Sequence, residues 1–261
     1  MHRTRDIFLL FLLCAVPPLS QGAPQVDAAP RNFQGHTYSP ANGPAAASQS
    51  QSGQRVSIAP IKSHPYGHTY GEWIAKWWQW ALELPADVNP ILDTTGVNCN
   101  EGQLEHVWFL ADTLGSGTAQ RNCVVPANTA LFFPLISTFY GAFLNDSPET
   151  RTEAYLRSVA ASCVNVDFAA EIDGVDIRNA AQYFAQSPLF DVQLPDNNLF
   201  GLGPDVIPEL RLSPSVAQGY FLFLRPLPPG PHTIHWSSSQ NCPFGDFAED
   251  VTYRLLVKKS R

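Results

Sequence analysis

Apolar residues between Tyr70 and Leu84 (YGEWIAKWWQWALEL) recur with the period of an α-helix. Trp73, Trp77 and Trp80 have the i, i+4, i+7 spacing of a single helical face, and Pro85 ends the segment. Other apolar residues widen this face to more than half of the circumference. A helix of this kind must be surrounded by protein, so we predict a buried Trp-rich N-terminal helix against which the domain packs.

Shorter apolar runs separated by turn residues follow from residue 107 onward and are typical of β-strands. Asp173-Gly174 between two such runs predicts a tight hairpin, and the alternation in residues 251–258 predicts a half-buried closing strand. Ser147 followed by proline predicts the start of a second short helix, which would end near Ser162. We therefore predict a mainly β protein, an antiparallel β-sandwich of jelly-roll or Ig-like type, with two helices packed on it.

The first 60 residues have a different composition from the rest of the chain. Residues 1–22 combine a basic start, a short apolar core and small residues at the end, which predicts a signal peptide. Residues 23–60 are rich in Pro, Ala, Ser, Gln and Gly, which predicts a disordered leader or linker. Residues 61–261 are then a single β-rich domain, in a protein that is secreted or periplasmic.

The charge and the apolar runs exclude several classes of partner. The chain carries 16 Lys and Arg against 23 Asp and Glu, a formal net charge of −7, and its basic residues do not cluster. We therefore expect neither nucleic acid nor an anionic membrane as a partner. No apolar run beyond the signal peptide approaches the length of a membrane span, so we expect no integral membrane segment in the mature chain.

Four cysteines remain once Cys14 leaves with the signal peptide. An even number of cysteines in an exported chain predicts two disulfides, and four cysteines allow three pairings. We favour a pairing of the first cysteine with the second and of the third with the fourth, because the first two cysteines bracket one hairpin unit. The pairs would be Cys99–Cys123 and Cys163–Cys242.

The residues that we assign to a ligand site lie in and around the Trp-rich helix. Trp78 is offset from the main stripe of indoles, which makes it the tryptophan most able to reach a ligand as an aromatic platform. Glu72, His68 and His106 complete the assignment, and pairing of His68 with His106 or His235 is the one metal-type arrangement that we retain. The commoner alternative is that the indoles fill the core and that the histidines are ordinary surface or turn residues.

Carboxylates offer two further hypotheses. A pair of them would provide the acid and nucleophile of a glycosidase; the acidic residues nearest the helix are Glu72, Asp93, Glu101, Glu105, Asp112 and Asp146. Oxygen-bearing residues in a later loop suit calcium, although their spacing matches no EF-hand and turns contain the same residue types. These calcium candidates are Asp196, Asn198 and Asp205. We predict no other cofactor.

Several segments resemble a recurring family of exported, largely bacterial proteins of unassigned function. The most specific are GEWIAKWWQWALELP and GYFLFLRPLPPGPHTIHW, and VWFLAD, RNCVVPANTALFFPLI, AEIDG and DVTYRLLV add to them. The resemblance extends from about residue 66 to residue 258. It implies an exported β-rich domain but supplies neither a reaction nor catalytic residues.

Three functional hypotheses are compatible with these features. The leading one is an exported, non-catalytic β-sandwich module that binds an extracellular partner, either a glycan or another cell-envelope component such as a surface protein. The first alternative is a secreted hydrolase that acts on polysaccharide through a carboxylate pair. The second alternative is a structural surface or matrix protein.

Overall fold

Two β-sheets and two helices form the part of the chain that the computed structural model describes, residues 56–259. The helices are α1 (Tyr70–Glu83) and α2 (Glu153–Ala160). The strands are β1 (Val107–Phe109), β2 (Ser116–Pro126), β3 (Ala130–Phe143), β4 (Val164–Ile172), β5 (Val175–Asp176), β6 (Phe184–Gln186), β7 (Phe190–Gln193), β8 (Arg211–Leu224), β9 (Gly230–Cys242) and β10 (Gly245–Lys258). The predicted signal peptide and residues 23–55 of the predicted leader lie outside the described residues.

Helix α1 begins with a capping box that its sequence encodes. The Thr69 side chain accepts a hydrogen bond from the Glu72 N–H, and the Glu72 carboxylate accepts one from the Thr69 N–H at 2.7 Å. Trp73, Trp77 and Trp80 are buried, as the helical period predicts. They pack on one face of the first sheet, which confirms the prediction of a buried Trp-rich helix.

The first sheet has the order β1-β3-β8-β6, with β7 also paired to β8, and it is covered on both faces. Phe132 and Phe221 point towards α1, while Phe133 and Leu222 point towards the second sheet. Burial of both faces accounts for the continuous apolar runs of β3 and β8, since neither strand has a solvent face for polar residues.

The second sheet has the order β2-β10-β9-β4-β5 and covers the other side of the first. Its strands alternate: in β10, Val251, Tyr253, Leu255 and Val257 point inward, as predicted. The result is a three-layer molecule of helix, sheet and sheet, so the predicted β-sandwich with two helices is confirmed. Two pairs of neighbouring strands, β1 with β3 and β2 with β10, are parallel rather than antiparallel. Parallel neighbours require a long connection, and between β2 and β10 the chain forms strands of the first sheet.

Both favoured disulfides are present, Cys99–Cys123 and Cys163–Cys242. The second helix is also present, but it begins at Glu153 rather than near Ser147, because Thr152 supplies the N-cap. Residues 147–151 form turns instead.

Residues 56–60, which composition assigned to the leader, lie along the end of β8. There Ile58 forms a β-bridge with Leu224, and the Ala59 N–H donates to the Phe223 carbonyl. Within residues 56–259 no helix is long and apolar enough to cross a membrane.

Candidate functional site

A cavity of about 60 Å³ lies at one end of the sandwich, where α1, the loop after β1 and the β9–β10 hairpin converge. We call it the end cavity. Its apolar wall contains Trp78, Phe139, Phe244 and Phe247. Its polar wall contains Asp112, Ser137, Thr138, Ser238, Gln240 and Glu249. A space of this size holds a few water molecules or one polar group of a larger ligand.

The side chains that point into the sandwich are polar rather than apolar near this cavity. Along β10 the inward positions continue from Val251 to Glu249, and along β9 they continue from Trp236 to Ser238 and Gln240. These polar residues occupy positions at which the alternation would otherwise place apolar side chains. Buried polar residues at inward positions are costly to stability, and their clustering at one end therefore marks a candidate site.

A β-bulge in β3 helps to open the cavity. The register between β3 and β8 shifts between Pro134 and Ile136, so that Phe139 faces α1, although Phe133 and Leu135 face the second sheet. Gly219 on β8 permits this geometry, because a Cβ atom there would lie 2.4 Å from the Ile136 carbonyl oxygen. The bulge delivers residues 136–139 of β3 to the cavity wall.

Two buried carboxyl groups, Asp112 and Glu249, lie in the polar wall. Glu249 accepts four hydrogen bonds of 3.1–3.2 Å: the N–H and hydroxyl of Thr113, the indole N–H of Trp236 and the hydroxyl of Ser238. Asp112 accepts a hydrogen bond at 3.0 Å from the Leu114 N–H in its own turn. Since hydrogen bonds to a carboxylate favour its ionised form, Glu249 is the better place for the negative charge.

Burial, followed by the negative charge of Glu249, raises the pKa of Asp112 to about 7. Burial also raises the pKa of Glu249, while its four hydrogen bonds act in the opposite direction. At neutral pH Asp112 therefore carries a proton for a large part of the time. It can both donate a hydrogen bond to a ligand and accept one from it.

Arg121 provides the compensating positive charge behind this pair. Its guanidinium is 1% exposed and donates to the carbonyl oxygens of Asp93, Ala111 and Asp112, and to the Tyr253 hydroxyl. One cation and one ionised carboxylate balance each other, which leaves the second carboxyl group to be protonated. Arg121 also fixes the loop after β1 to the second sheet, and so positions Asp112.

Two polar groups of the cavity wall have no partner. The Trp78 indole Nε1 and the Ser137 hydroxyl oxygen are both buried without a hydrogen bond. Trp78 is only 5% exposed and stacks on Phe139 with ring centroids 5.0 Å apart. A buried indole N–H usually finds an acceptor, so the lack of one in a residue of the cavity wall calls for an explanation.

Gly115 shapes the apolar side of the opening. Its φ of +102° suits glycine, and a Cβ atom there would lie 2.5 Å from the Phe247 ring. The ring of Phe247 therefore rests directly on the Gly115 backbone. The centroid of the neighbouring Phe244 ring lies 5.7 Å from that of Phe247, and the two rings form an aromatic rim.

The residues assigned to a ligand site from sequence do not line one cavity. Trp78 lies in the wall of the end cavity, but Glu72, His68 and His106 do not. Glu72 forms the capping box of α1 and lies 3.9 Å from His68, whose ring meets the edge of Trp73. His106 stacks on Tyr66 with ring centroids 5.8 Å apart. Glu72 is thus occupied in holding the start of the helix.

The predicted calcium candidates are engaged in loop structure. Asn198 is buried: its amide oxygen accepts from the N–H groups of Phe200 and Leu202, and its amide nitrogen donates to the carbonyls of Pro195 and Leu202. Its side chain therefore closes a turn and offers no ligand to an ion. Asp196 and Asp205 are exposed. Among residues 56–259, no group of three His, Cys, Asp or Glu side chains is arranged to hold a metal ion.

Of the carboxylates named from sequence, Asp112 is the one in the cavity wall, and its partner Glu249 was missed. Glu249 lies two residues before the apolar alternation of β10, so extending that alternation backward would have placed it inside the sandwich. Ser137, Ser238 and Gln240 were missed too. Ser238 and Gln240 could have been found in the same way, by continuing the inward alternation of β9. The position of Ser137 depends on the bulge in β3, which leaves no signal in the sequence.

Comparison of the chain with protein-family models, curated proteins and solved structures finds no match. The family resemblance of the Trp-rich helix and the PLPPGPHTIHW segment therefore stays a prediction.

Proposed function

We propose that this protein is an exported, non-catalytic module that binds a polyhydroxylated ligand, a glycan of the cell envelope or its surroundings, at the end cavity. The observation that carries the proposal is the buried, unpartnered indole N–H of Trp78 in the cavity wall. The disulfides agree with an exported protein, since such bonds persist in oxidising compartments.

The chemistry of the wall suits hydroxyl groups better than a charged or purely apolar ligand. Trp78 offers only a donor, Asp112 offers an acceptor or a donor, and Ser137 offers both. A sugar hydroxyl meets all three requirements, because it donates and accepts at the same oxygen. The rings of Phe244 and Phe247 at the rim supply apolar surface against which the C–H face of a sugar ring packs.

The test is binding of the purified mature protein to cellulose, xylan, chitin and peptidoglycan. Depletion of the protein from solution and release of soluble sugar are measured in the same tubes. Depletion without sugar release supports the proposal. If none of the four polymers depletes the protein, glycan binding is refuted, and the structural hypothesis takes its place.

Trp78→Phe is the informative variant, because it keeps a ring against Phe139 while it removes the indole N–H. We expect about a tenfold loss of affinity, the equivalent of one hydrogen bond in a dry site. Trp108→Phe is the matched control: Trp108 is also buried with an unpartnered Nε1, but it packs between the sheets and away from the cavity. An equal loss in both variants would show that the effect comes from packing and not from a ligand.

The carboxylate pair favours a second candidate, a polysaccharide hydrolase with Asp112 as the acid. Its raised pKa and the neighbouring Glu249 match the requirement for one protonated and one ionised carboxyl group. Against this stands the engagement of Glu249, whose two oxygens already accept four hydrogen bonds. Sugar release that disappears in both Asp112→Asn and Glu249→Gln would establish the hydrolase and overturn the binding module.

A further inference from the structure

A second, smaller cavity adjoins the end cavity. Its volume is about 50 Å³, and it shares Ile136, Ser137, Thr138 and Gln240 with the first. Its far side is formed by β6 and β8, where Phe184, Gln218 and Tyr220 lie. We call the two cavities together the end groove.

We propose that the end groove binds a linear oligosaccharide chain of several units, with a hydroxyl group of one unit in the end cavity and a later unit at Phe184 and Tyr220. This inference rests on the proposed function and defines its ligand as an extended chain rather than a single sugar. It is carried by the position of the two cavities side by side, with four wall residues in common, and by the residue types at the two ends and in the middle.

The two ends of the groove carry aromatic rings, and its middle carries short polar side chains. Phe244 and Phe247 lie at the first end, and Phe184 packs on Tyr220 at the other with ring centroids 5.3 Å apart. Phe184 is 41% exposed, so its ring is accessible to a ligand. Rings at both ends with hydroxyl and amide groups between them suit a chain whose sugar faces stack while its hydroxyls form hydrogen bonds.

The span of the groove exceeds one sugar ring. Ser137 on β3 pairs with Gly219 on β8, and Gly219 pairs with Ala185 on β6. Two strand spacings of about 4.8 Å therefore separate the middle of the groove from the strand of Phe184. This separation is longer than one sugar ring, so a single monosaccharide at Ser137 does not also cover Phe184.

Gln240 lies at the point where the two cavities meet. Its amide nitrogen reaches the Ser137 carbonyl oxygen at 3.5 Å, which is the limit of a hydrogen bond. A ligand hydroxyl can therefore replace this contact at little cost. The Cys163–Cys242 disulfide lies at the same place, with Cys163 in the wall of the second cavity and Cys242 two residues beyond Gln240.

The experiment measures affinity against chain length. The probes are cello-, xylo- and chito-oligosaccharides of two to eight units, titrated by calorimetry into the wild type and three variants. We expect the affinity of the wild type to rise about tenfold or more between two and eight units, the size of one good aromatic contact. In Phe184→Ala this rise should disappear, while the affinity for the two-unit probe stays within about twofold of the wild type. Phe247→Ala should weaken binding at every length.

Tyr66→Ala is the control for loss of an exposed ring, because Tyr66 is 48% exposed and lies outside both cavities. If Phe184→Ala does not fold, Gln218→Ala is used in its place, because Gln218 lines the same end of the groove. Equal affinity for short and long probes, or an unchanged length dependence in the folded variant, overturns the extended groove but leaves the end cavity as a site for a single sugar. Absence of binding at every length, together with a negative polymer panel, overturns the proposed function itself.

Discussion

The proton on Asp112 makes a quantitative prediction about stability. Its pKa is raised from the ordinary value of 3.8 to about 7, a difference that corresponds to about 4 kcal/mol. Below pH 3.8 the folded and unfolded states both carry the proton, and the group has no effect. Between pH 3.8 and 7 only the folded state keeps it, so the free energy of unfolding falls as the pH rises. Above pH 7 the full cost is present.

The variant Asp112→Asn mimics the protonated side chain at every pH and should remove this dependence. Relative to the wild type, we expect it to gain about 4 kcal/mol of unfolding free energy between pH 4 and pH 8. The assay is urea unfolding followed by tryptophan fluorescence at five pH values, with the disulfides intact. The difference between the two proteins cancels the contribution of most other titrating groups.

Asp246→Asn, at an exposed position near the start of β10, controls for the loss of one carboxyl group. A difference between Asp112→Asn and the wild type that stays constant from pH 4 to pH 8 would refute the reasoning. An increase in wild-type stability with pH, relative to the variant, would show instead that Asp112 is ionised in the folded protein and paired with Arg121.

Three further predictions concern the framework of the site. Arg121→Met should lower the free energy of unfolding by about 3 kcal/mol or more, measured in urea, because buried carbonyls lose their donor; a loss below 1 kcal/mol would contradict this role. Thr69→Ala should lower the free energy of unfolding by about 1 kcal/mol in the same assay and leave ligand affinity unchanged. A change in affinity would indicate that Glu72, the partner of Thr69 in the capping box, belongs to the ligand site after all. Replacing Cys163 and Cys242 by serine should cost about 2–5 kcal/mol in thermal unfolding and weaken long oligosaccharides more than short ones; a uniform loss would argue against the groove.

The layers of the fold were predictable because each has a clear period in the sequence. Trp73, Trp77 and Trp80 mark a helix covered by protein, and the alternation of β10 marks an inner face. Of the three possible disulfide pairings, the one favoured because its first pair brackets a hairpin unit is the one present. The parallel ladders were not predictable, because strand neighbours that are distant in sequence are decided by how the whole chain wraps, and local pattern does not record it.

The end cavity was only partly predictable, and the reason lies in how it is built. A stripe of indoles was expected at a helix face, and Trp78 was singled out by its offset, which the structure places at the cavity wall. His68 and Glu72 looked equally suggestive in the sequence, but their proximity follows from the i, i+4 spacing and the capping box alone. Local proximity on a helix is therefore weak evidence for a site.

Glu249 shows which feature of the sequence would have been stronger evidence. A carboxylate at an inward position of an alternating strand must be solvated by the fold, and here Thr113, Trp236 and Ser238 perform that task. Two elements contribute these donors, the loop after β1 and strand β9, and together they fix the position of the carboxylate. An apolar residue of similar size at position 249 would remove the desolvation cost of the carboxylate, but it would leave the donors of Thr113, Trp236 and Ser238 without an acceptor. A buried carboxylate, a second carboxyl group beside it and an unpartnered indole N–H therefore occur together at one cavity, and this is the arrangement on which the proposed ligand site rests.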